Sequence, residues 1–206
     1  MIRVAHRGYM NDDRQNTIKA AVRVLESERT VNVVELDVRY NTKRSVVLCH
    51  DREQRNVKRN ENLLCLLINP IPMKIMLDVK AFGISNDCEN LAHDVIKLVK
   101  QHPQHEYWVC SFNEYCVSEL ISQREEHGLY KNVHVGVISS GIPMGMFSHL
   151  QSIDFVSLEH SVVDPEIVDM FKRKKYMVFA WVVNHPDTIN YMVKCGVDGI
   201  IQDYYA

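Results

Sequence analysis

The sequence predicts an α/β protein, and within that class a (β/α)8 barrel. Three observations lead there. Short β-branched runs alternate with helical patterns along the chain. The runs are close to continuously apolar, as expected of parallel strands covered by helices. Nine such runs reduce to eight parallel positions once one hairpin is recognised.

The strand candidates are "IRVAH" (2–6), "NVVELDVRY" (32–40), "SVVLCH" (45–50), "MKIMLDVK" (73–80), "EYWVCSF" (106–112), "NVHVGVIS" (132–139), "DFVSLEH" (154–160), "YMVFAWVVN" (176–184) and "DGIIQDY" (198–204). Only "NTKR" separates the second run from the third. That is too short for the crossover that parallel neighbours require, so these two runs pair as an antiparallel hairpin. Helical patterns fill the intervals. "TIKAAVRVLES" sets Ile18, Ala21, Val22 and Leu25 on one stripe, and "CENLAHDVIKLVK" repeats apolar positions at Leu91, Val95, Leu98 and Val99. Asp164 before Pro165 reads as an N-cap with proline at the first helical position, and Gly196 reads as a C-cap.

No repeat, low-complexity tract or Pro/Gly-rich linker divides the 206 residues, so residues 1–206 read as one domain. The chain is 46% hydrophobic with a formal net charge of −2 and a mean hydropathy of −0.20. Such a balance lacks the basic surplus that non-specific binding to nucleic acid or an anionic membrane needs. No run is long enough to span a bilayer, so no stable membrane insertion is expected, and Met1 leads straight into "IRVAHRG" without signal-peptide architecture. The six cysteines show no CxxC spacing and read as reduced thiols, which points to a cytoplasmic protein.

The hairpin also predicts a site. Folded about Thr42-Lys43-Arg44, it brings positions near Asp37 opposite positions near His50. Glu35 and Asp37 are two apart and project from one face of their strand. Neighbouring buried acids persist only with a cation or a proton between them, and a hard divalent ion suits oxygen ligands. Asp78 follows an apolar run, with Lys80 two residues on, at the end of a strand where barrel enzymes carry catalytic groups.

"AHRG…QNT", "VELDVRYNTKRSVVLCHD", "IMLDVK", "FAWVVN" and "GVDGIIQDY", in this order, resemble the glycerophosphodiester phosphodiesterase family over essentially the whole chain. The resemblance implies a (β/α)8 barrel that hydrolyses small glycerophosphodiesters to an alcohol and glycerol 3-phosphate with a divalent cation, Mg2+ or Ca2+. It implies catalytic roles for His6 and His50, metal binding by Glu35, Asp37 and Asp78, phosphate contacts from Arg7 and Lys80, and a pocket lined by Trp181. A phospholipase D-like action on lysophospholipid or sphingolipid is an alternative, as is a barrel that binds a phosphorylated ligand without turnover.

Four departures from the family pattern stand out. Gln15 replaces a glutamate, Asp78 replaces a longer glutamate, the segment between His50 and Met73 is short, and no final helix follows the last strand, which suggests a flank covered by a second copy of the chain. His102 and His105 read as a loop, His134 as a strand histidine and Asp203 as structural, while His160 lies near a strand end within reach of the mouth. Gly8 reads as the point where the backbone turns away from the substrate.

Overall fold

The computed structural model describes residues 1–8, 14–27, 33–51, 61–84, 86–142, 145 and 152–203. Among these residues nine strands form one sheet: β1 (Ile2–Ala5), β2 (Val33–Tyr40), β3 (Val46–Leu48), β4 (Lys74–Val79), β5 (Glu106–Ser111), β6 (Val133–Ser139), β7 (Phe155–Glu159), β8 (Met177–Trp181) and β9 (Gly199–Gln202). Eight of them are parallel, and the sheet closes on itself because β1 pairs with both β9 and β2. The predicted barrel is therefore the observed one. Its ninth strand is the hairpin partner: β3 runs antiparallel to β2, with Val38 opposite Leu48 and Tyr40 opposite Val46. Asn41 accepts from the amides of Lys43 and Ser45, and Arg44 adopts a left-handed conformation, so the five-residue connection, 41–45, closes tightly.

Among the described residues six helices cover the outside: α1 (Ile18–Ser27), α2 (Leu63–Leu67), α3 (Asn86–Gln101), α4 (Glu114–His127), α5 (Pro165–Arg173) and α6 (Pro186–Cys195). The caps follow the sequence. Asp164 accepts from the Ile167 amide with Pro165 opening α5, and Gly196 ends α6 in the left-handed region. Residues 52–60 of the shortened connection, and residues 204–206 after the last strand, on which the expected lack of a final helix falls, lie outside the described residues.

Strand alternation sorts side chains into two cores. Outward-facing Val34, Leu36, Ile75, Leu77, Val109, Val156 and Ile200 pack under the helices. Inward-facing Val4, Val33, Met76, Trp108, Phe155, Phe179 and Ile201 fill the barrel. Trp108, Phe155 and Phe179 meet edge to face with centroids 5.2–5.5 Å apart, a geometry worth about 1 kcal/mol per pair beyond area burial. Space for them comes from Gly136 and Gly199, where a Cβ would come within 2.5 Å of the Phe155 and Phe179 rings. The same parity carries upward. His6, Glu35, Asp37, Asp78, Lys80, Trp181 and Asp203 all continue the inward-facing rows to the C-terminal mouth.

Candidate active site

Register brings the acids together. Asp37 on β2 is paired with Asp78 on β4, and Glu35 lies two residues below Asp37 on the same row. One carboxylate oxygen from each of Glu35, Asp37 and Asp78 falls within 4.8 Å of the others, and all three residues are buried. Lys80 supplies the countercharge, its Nζ 2.9 Å from Asp37 Oδ1 and 2.5 Å from Asp78 Oδ2. With Arg7 beside Asp37 there are two cations against three buried acids, and neither forms an ion pair with Glu35. Burial and the neighbouring Asp37 push Glu35 up to about 7, and burial pushes Asp78 up to about 6. Burial also acts to raise Asp37, but Lys80, Arg7 and the hydrogen bond from Asn16 hold its carboxyl below the usual range.

This donor set fits a hard divalent cation. Among the described residues Asp78 Oδ1 is buried with no hydrogen-bond partner, and burial together with the neighbouring Asp37 tilts Glu35 toward the protonated form. Three carboxylates of this kind hold Mg2+ or Ca2+ through oxygen. Asn16 aims one of them: its Nδ2 donates to Asp37 Oδ2 at 2.6 Å while its Oδ1 accepts from the Asp37 amide at 2.9 Å.

His6 and Arg7 lie in a turn that immediately follows β1. Asp203, just past β9, accepts from His6 Nδ1 at 2.5 Å, and His6 Nε2 points toward Glu35 Oε2 at 4.0 Å. Burial works to lower the His6 pKa, but the Asp203 hydrogen bond and the Glu35 charge outweigh it and leave it raised. Asn184 holds the other end of the dyad, donating to Asp203 Oδ2 at 2.7 Å and accepting from the Asp203 amide. Arg7 has a left-handed backbone, with φ of 50°, which for a non-glycine residue costs about 1 kcal/mol. Its amide donates to Glu35 Oε2 at 2.9 Å and its Nη1 to Gln15 Oε1 at 3.1 Å. Its Nε pairs with Asp37 Oδ2 at 2.9 Å as an ion pair without a hydrogen-bonding angle. Gln15 thus still fastens Arg7, by a neutral hydrogen bond where an acid would add charge.

Gly8 has a different reason from the one the sequence suggested. With φ of 77° it needs the left-handed region, and a Cβ there would sit 2.7 Å from Ala20 Cβ on α1. The glycine lets the turn pack against the first helix.

His50 follows the hairpin strand. Cys49 donates its amide to the Asp37 carbonyl, which sets His50 one residue beyond the acids, as the hairpin predicts. Its Nδ1 lies 2.8 Å from Asp51 Oδ1, and its carbonyl accepts from Arg39. A cavity of about 250 Å³ joins these groups, lined by the polar His6, Arg7, Glu35, His50, Asp78 and Lys80. The rest of its lining is apolar, including Met76, Phe112, Trp181 and Ile201, with Ser157 as the one hydroxyl among the described residues. Trp181 is fixed by a bond from Nε1 to the Ser157 carbonyl at 3.1 Å and by an edge-to-face contact with Phe112. Ser157 Oγ is itself buried without a partner.

The profile of the glycerophosphoryl diester phosphodiesterase family matches residues 72–206, well over half of the chain. The chain belongs to that family. A glycerophosphodiester phosphodiesterase of Caldanaerobacter subterraneus is 23% identical over 97% of this chain and 93% of its own length. Among solved structures, a phosphodiesterase of Oleispira antarctica in complex with the product sn-glycerol-3-phosphate superposes with a TM-score of 0.78 at 18% identity, covering 99% of this chain and 93% of that one. A glycerophosphodiester phosphodiesterase of Parabacteroides distasonis gives 0.79 at 20% identity, covering 98% and 92%. At such identities the structural likeness speaks to the fold.

Seven of the eight residues singled out in the sequence line one cavity, and the eighth, Asp37, pairs with two of them, Lys80 and Arg7. Asp203, which the sequence marks only as structural, bonds His6, and Asn184, Asn16 and Ser157 join the site without having been singled out. Asp203 carries the signal that exposed Asp78, an acid directly after an apolar strand. His160 reaches only the Trp181 carbonyl, at 3.3 Å, and borders a separate groove, whereas His105 accepts from the Met73 amide and bonds the Leu67 carbonyl in a purely structural role.

Proposed function

We propose that this chain hydrolyses glycerophosphodiesters to an alcohol and glycerol 3-phosphate, acting as one domain over residues 1–206 and with a divalent cation on Glu35, Asp37 and Asp78. The observation that carries the reading is the Asp203–His6 hydrogen bond beside the three-acid cluster, in a cavity that also holds His50. The bound cation would neutralise charge on the phosphoryl oxygens as a Lewis acid. Arg7 and Lys80 add fixed positive charge beside it, Arg7 with a planar fork suited to two oxygens. His6 and His50 share the acid and base roles. One takes the proton from the glycerol hydroxyl that attacks phosphorus, closing a cyclic phosphate, and the other protonates the departing alcohol oxygen. Water then opens the ring with the roles exchanged. Ser157 Oγ, buried and unpartnered in the apolar wall, is available to a substrate hydroxyl.

The complex of the Oleispira antarctica relative with sn-glycerol-3-phosphate supports the product assignment. Among the described residues no helix is long and apolar enough to cross a membrane. All six cysteines are free thiols, which supports a reducing, cytoplasmic setting.

A second reading, phospholipase D-like action on lysophospholipid or sphingolipid, is favoured by the rim of the mouth. Phe82, Ile84, Phe112 and Ile142 follow strands β4, β5 and β6 at that end and are 53%, 83%, 47% and 44% exposed. Incubation with glycerophosphocholine and with lysophosphatidylcholine, each with Mg2+, Ca2+ or chelator, separates the readings by choline release. Turnover of the first substrate alone supports the diesterase, and turnover of the second supports the lipid enzyme. Tight binding of glycerol 3-phosphate with no turnover under any metal overturns both in favour of a binding barrel.

A further inference from the structure

One hydroxyl of the cavity is left without a partner. On β7 the inward row runs from Phe155 in the barrel core to Ser157, which lines the cavity two residues further on. Ser157 is 0% exposed, and its Oγ has no hydrogen-bond partner among the described residues. Its register neighbours are Ile138 on β6 and Phe179 on β8, whose side chains carry no polar atom. Its own carbonyl already accepts from Trp181 Nε1 at 3.1 Å. Ser111 on β5, at 1% exposure, shows the usual remedy: its hydroxyl donates to the Val79 carbonyl at 2.7 Å. A buried hydroxyl without such a bond costs stability that an alanine in its place would not. A ligand group entering the cavity can offset that cost.

We propose that Ser157 determines specificity for the glycerol unit, its Oγ holding the terminal hydroxyl, the one that takes no part in the attack on phosphorus. The inference rests on the diesterase reading. The other polar side chains of the cavity have different work. His6, Arg7, Glu35, His50, Asp78 and Lys80 are all ionisable and suit phosphate, a cation and proton transfer. The Trp181 N–H is given to the Ser157 carbonyl. Ser157 is thus the neutral donor and acceptor of the cavity among the described residues, the match for a neutral hydroxyl that also gives and takes a proton. A quaternary ammonium on the leaving alcohol can do neither, so the contact belongs to the glycerol side. A site built to bond a hydroxyl rejects an analogue lacking it far more strongly than an apolar pocket does. Acylation of the terminal hydroxyl removes its proton and adds bulk inside about 250 Å³, so the contact favours a deacylated diester over a lysophospholipid.

The test is a cycle of two enzymes and two substrates, read by choline release with Mg2+ or Ca2+. Glycerophosphocholine is compared with 2-hydroxyethyl phosphocholine, which keeps the attacking hydroxyl and lacks the terminal CH2OH. Whatever the missing carbon costs, it costs both enzymes, so it cancels in the comparison. The preference of the native chain for glycerophosphocholine, as a ratio of kcat/KM values, should fall about tenfold in Ser157→Ala. The variant should melt at the native temperature or above it, because the free protein loses only an unpaired hydroxyl. A ratio that does not move, whether both activities hold or both fall alike, overturns the proposal, and a lower melting temperature beside it makes Ser157 a packing residue. If the native chain turns over neither substrate with any metal, the diesterase reading fails on its own account. The cycle is then run by calorimetry with glycerol 3-phosphate and 2-hydroxyethyl phosphate. The same fall in the ratio of affinities supports the contact, and no fall overturns it.

Discussion

Asp203 and His6 meet across 197 residues of chain in a 2.5 Å hydrogen bond. The bond fixes which ring nitrogen carries a proton toward Asp203 and which faces the cavity. Asp203→Asn keeps the shape but inverts this preference. Activity on glycerophosphocholine should fall about tenfold or more, against a loss of about a hundredfold or more for His6→Ala. The decisive readout is the pH–rate profile: without the carboxylate that raises His6, the limb reporting His6 should move to lower pH. An unchanged profile would reduce Asp203 to a structural residue.

The acid cluster sets how stability depends on pH. Glu35 lies near 7 rather than 4.5 and Asp78 near 6 rather than 3.8. A raised carboxyl binds more protons folded than unfolded, so these two cost stability as pH rises from about 4 to about 7. His6, also raised, adds stability below its ordinary 6.5 that is lost above it, in the same sense. The depressed Asp37 and Asp203 stabilise above their ordinary 3.8 and lose that contribution only in more acid solution. In chelator, the melting temperature should therefore be lower at about pH 8 than at about pH 5.5. Millimolar Mg2+ should raise it most at the higher pH, where the acids are charged. Equal metal-induced shifts at both pH values would count against the three-acid site.

Gly8→Ala should cost about 2 kcal/mol or more, because it combines a left-handed backbone with a collision against Ala20. Chemical denaturation measures this directly, and an Ala20→Gly partner should recover part of the loss by removing the struck Cβ.

The rim residues give a test by substrate. Phe82→Ser with Ile84→Ser should leave turnover of glycerophosphocholine within about twofold, since neither side chain lines the cavity. Turnover of micellar lysophosphatidylcholine, if the rim serves it, should drop about tenfold or more. Parallel losses on both substrates would show that the loop acts through Lys80 instead.

The strand order and the main site were legible because both rest on period-two patterns. Apolar runs marked the strands, and an acid or histidine closing such a run marked the mouth. The hairpin placed His50 beside Asp37 from loop length alone. Less legible were groups whose role depends on closure. Nothing local tells Asp203 that it will face His6, and "IIQDY" reads like any strand end. Asn16 is similar: it stands before α1 as an ordinary turn residue, and only the fold brings it against Asp37. Gly8 was read as relief for the substrate because the sequence gives no hint that Ala20 lies behind it.

The pairing of β1 with β9 has a consequence for synthesis. A ribosome releases β1 and His6 some two hundred residues before their partners, β9 and Asp203. Until then β1 and β8 are bare edges of an open sheet, able to recruit each other or a neighbouring chain. The bond between His6 and Asp203 must wait for the whole circle, so a nascent chain carries the histidine long before it can carry the pair.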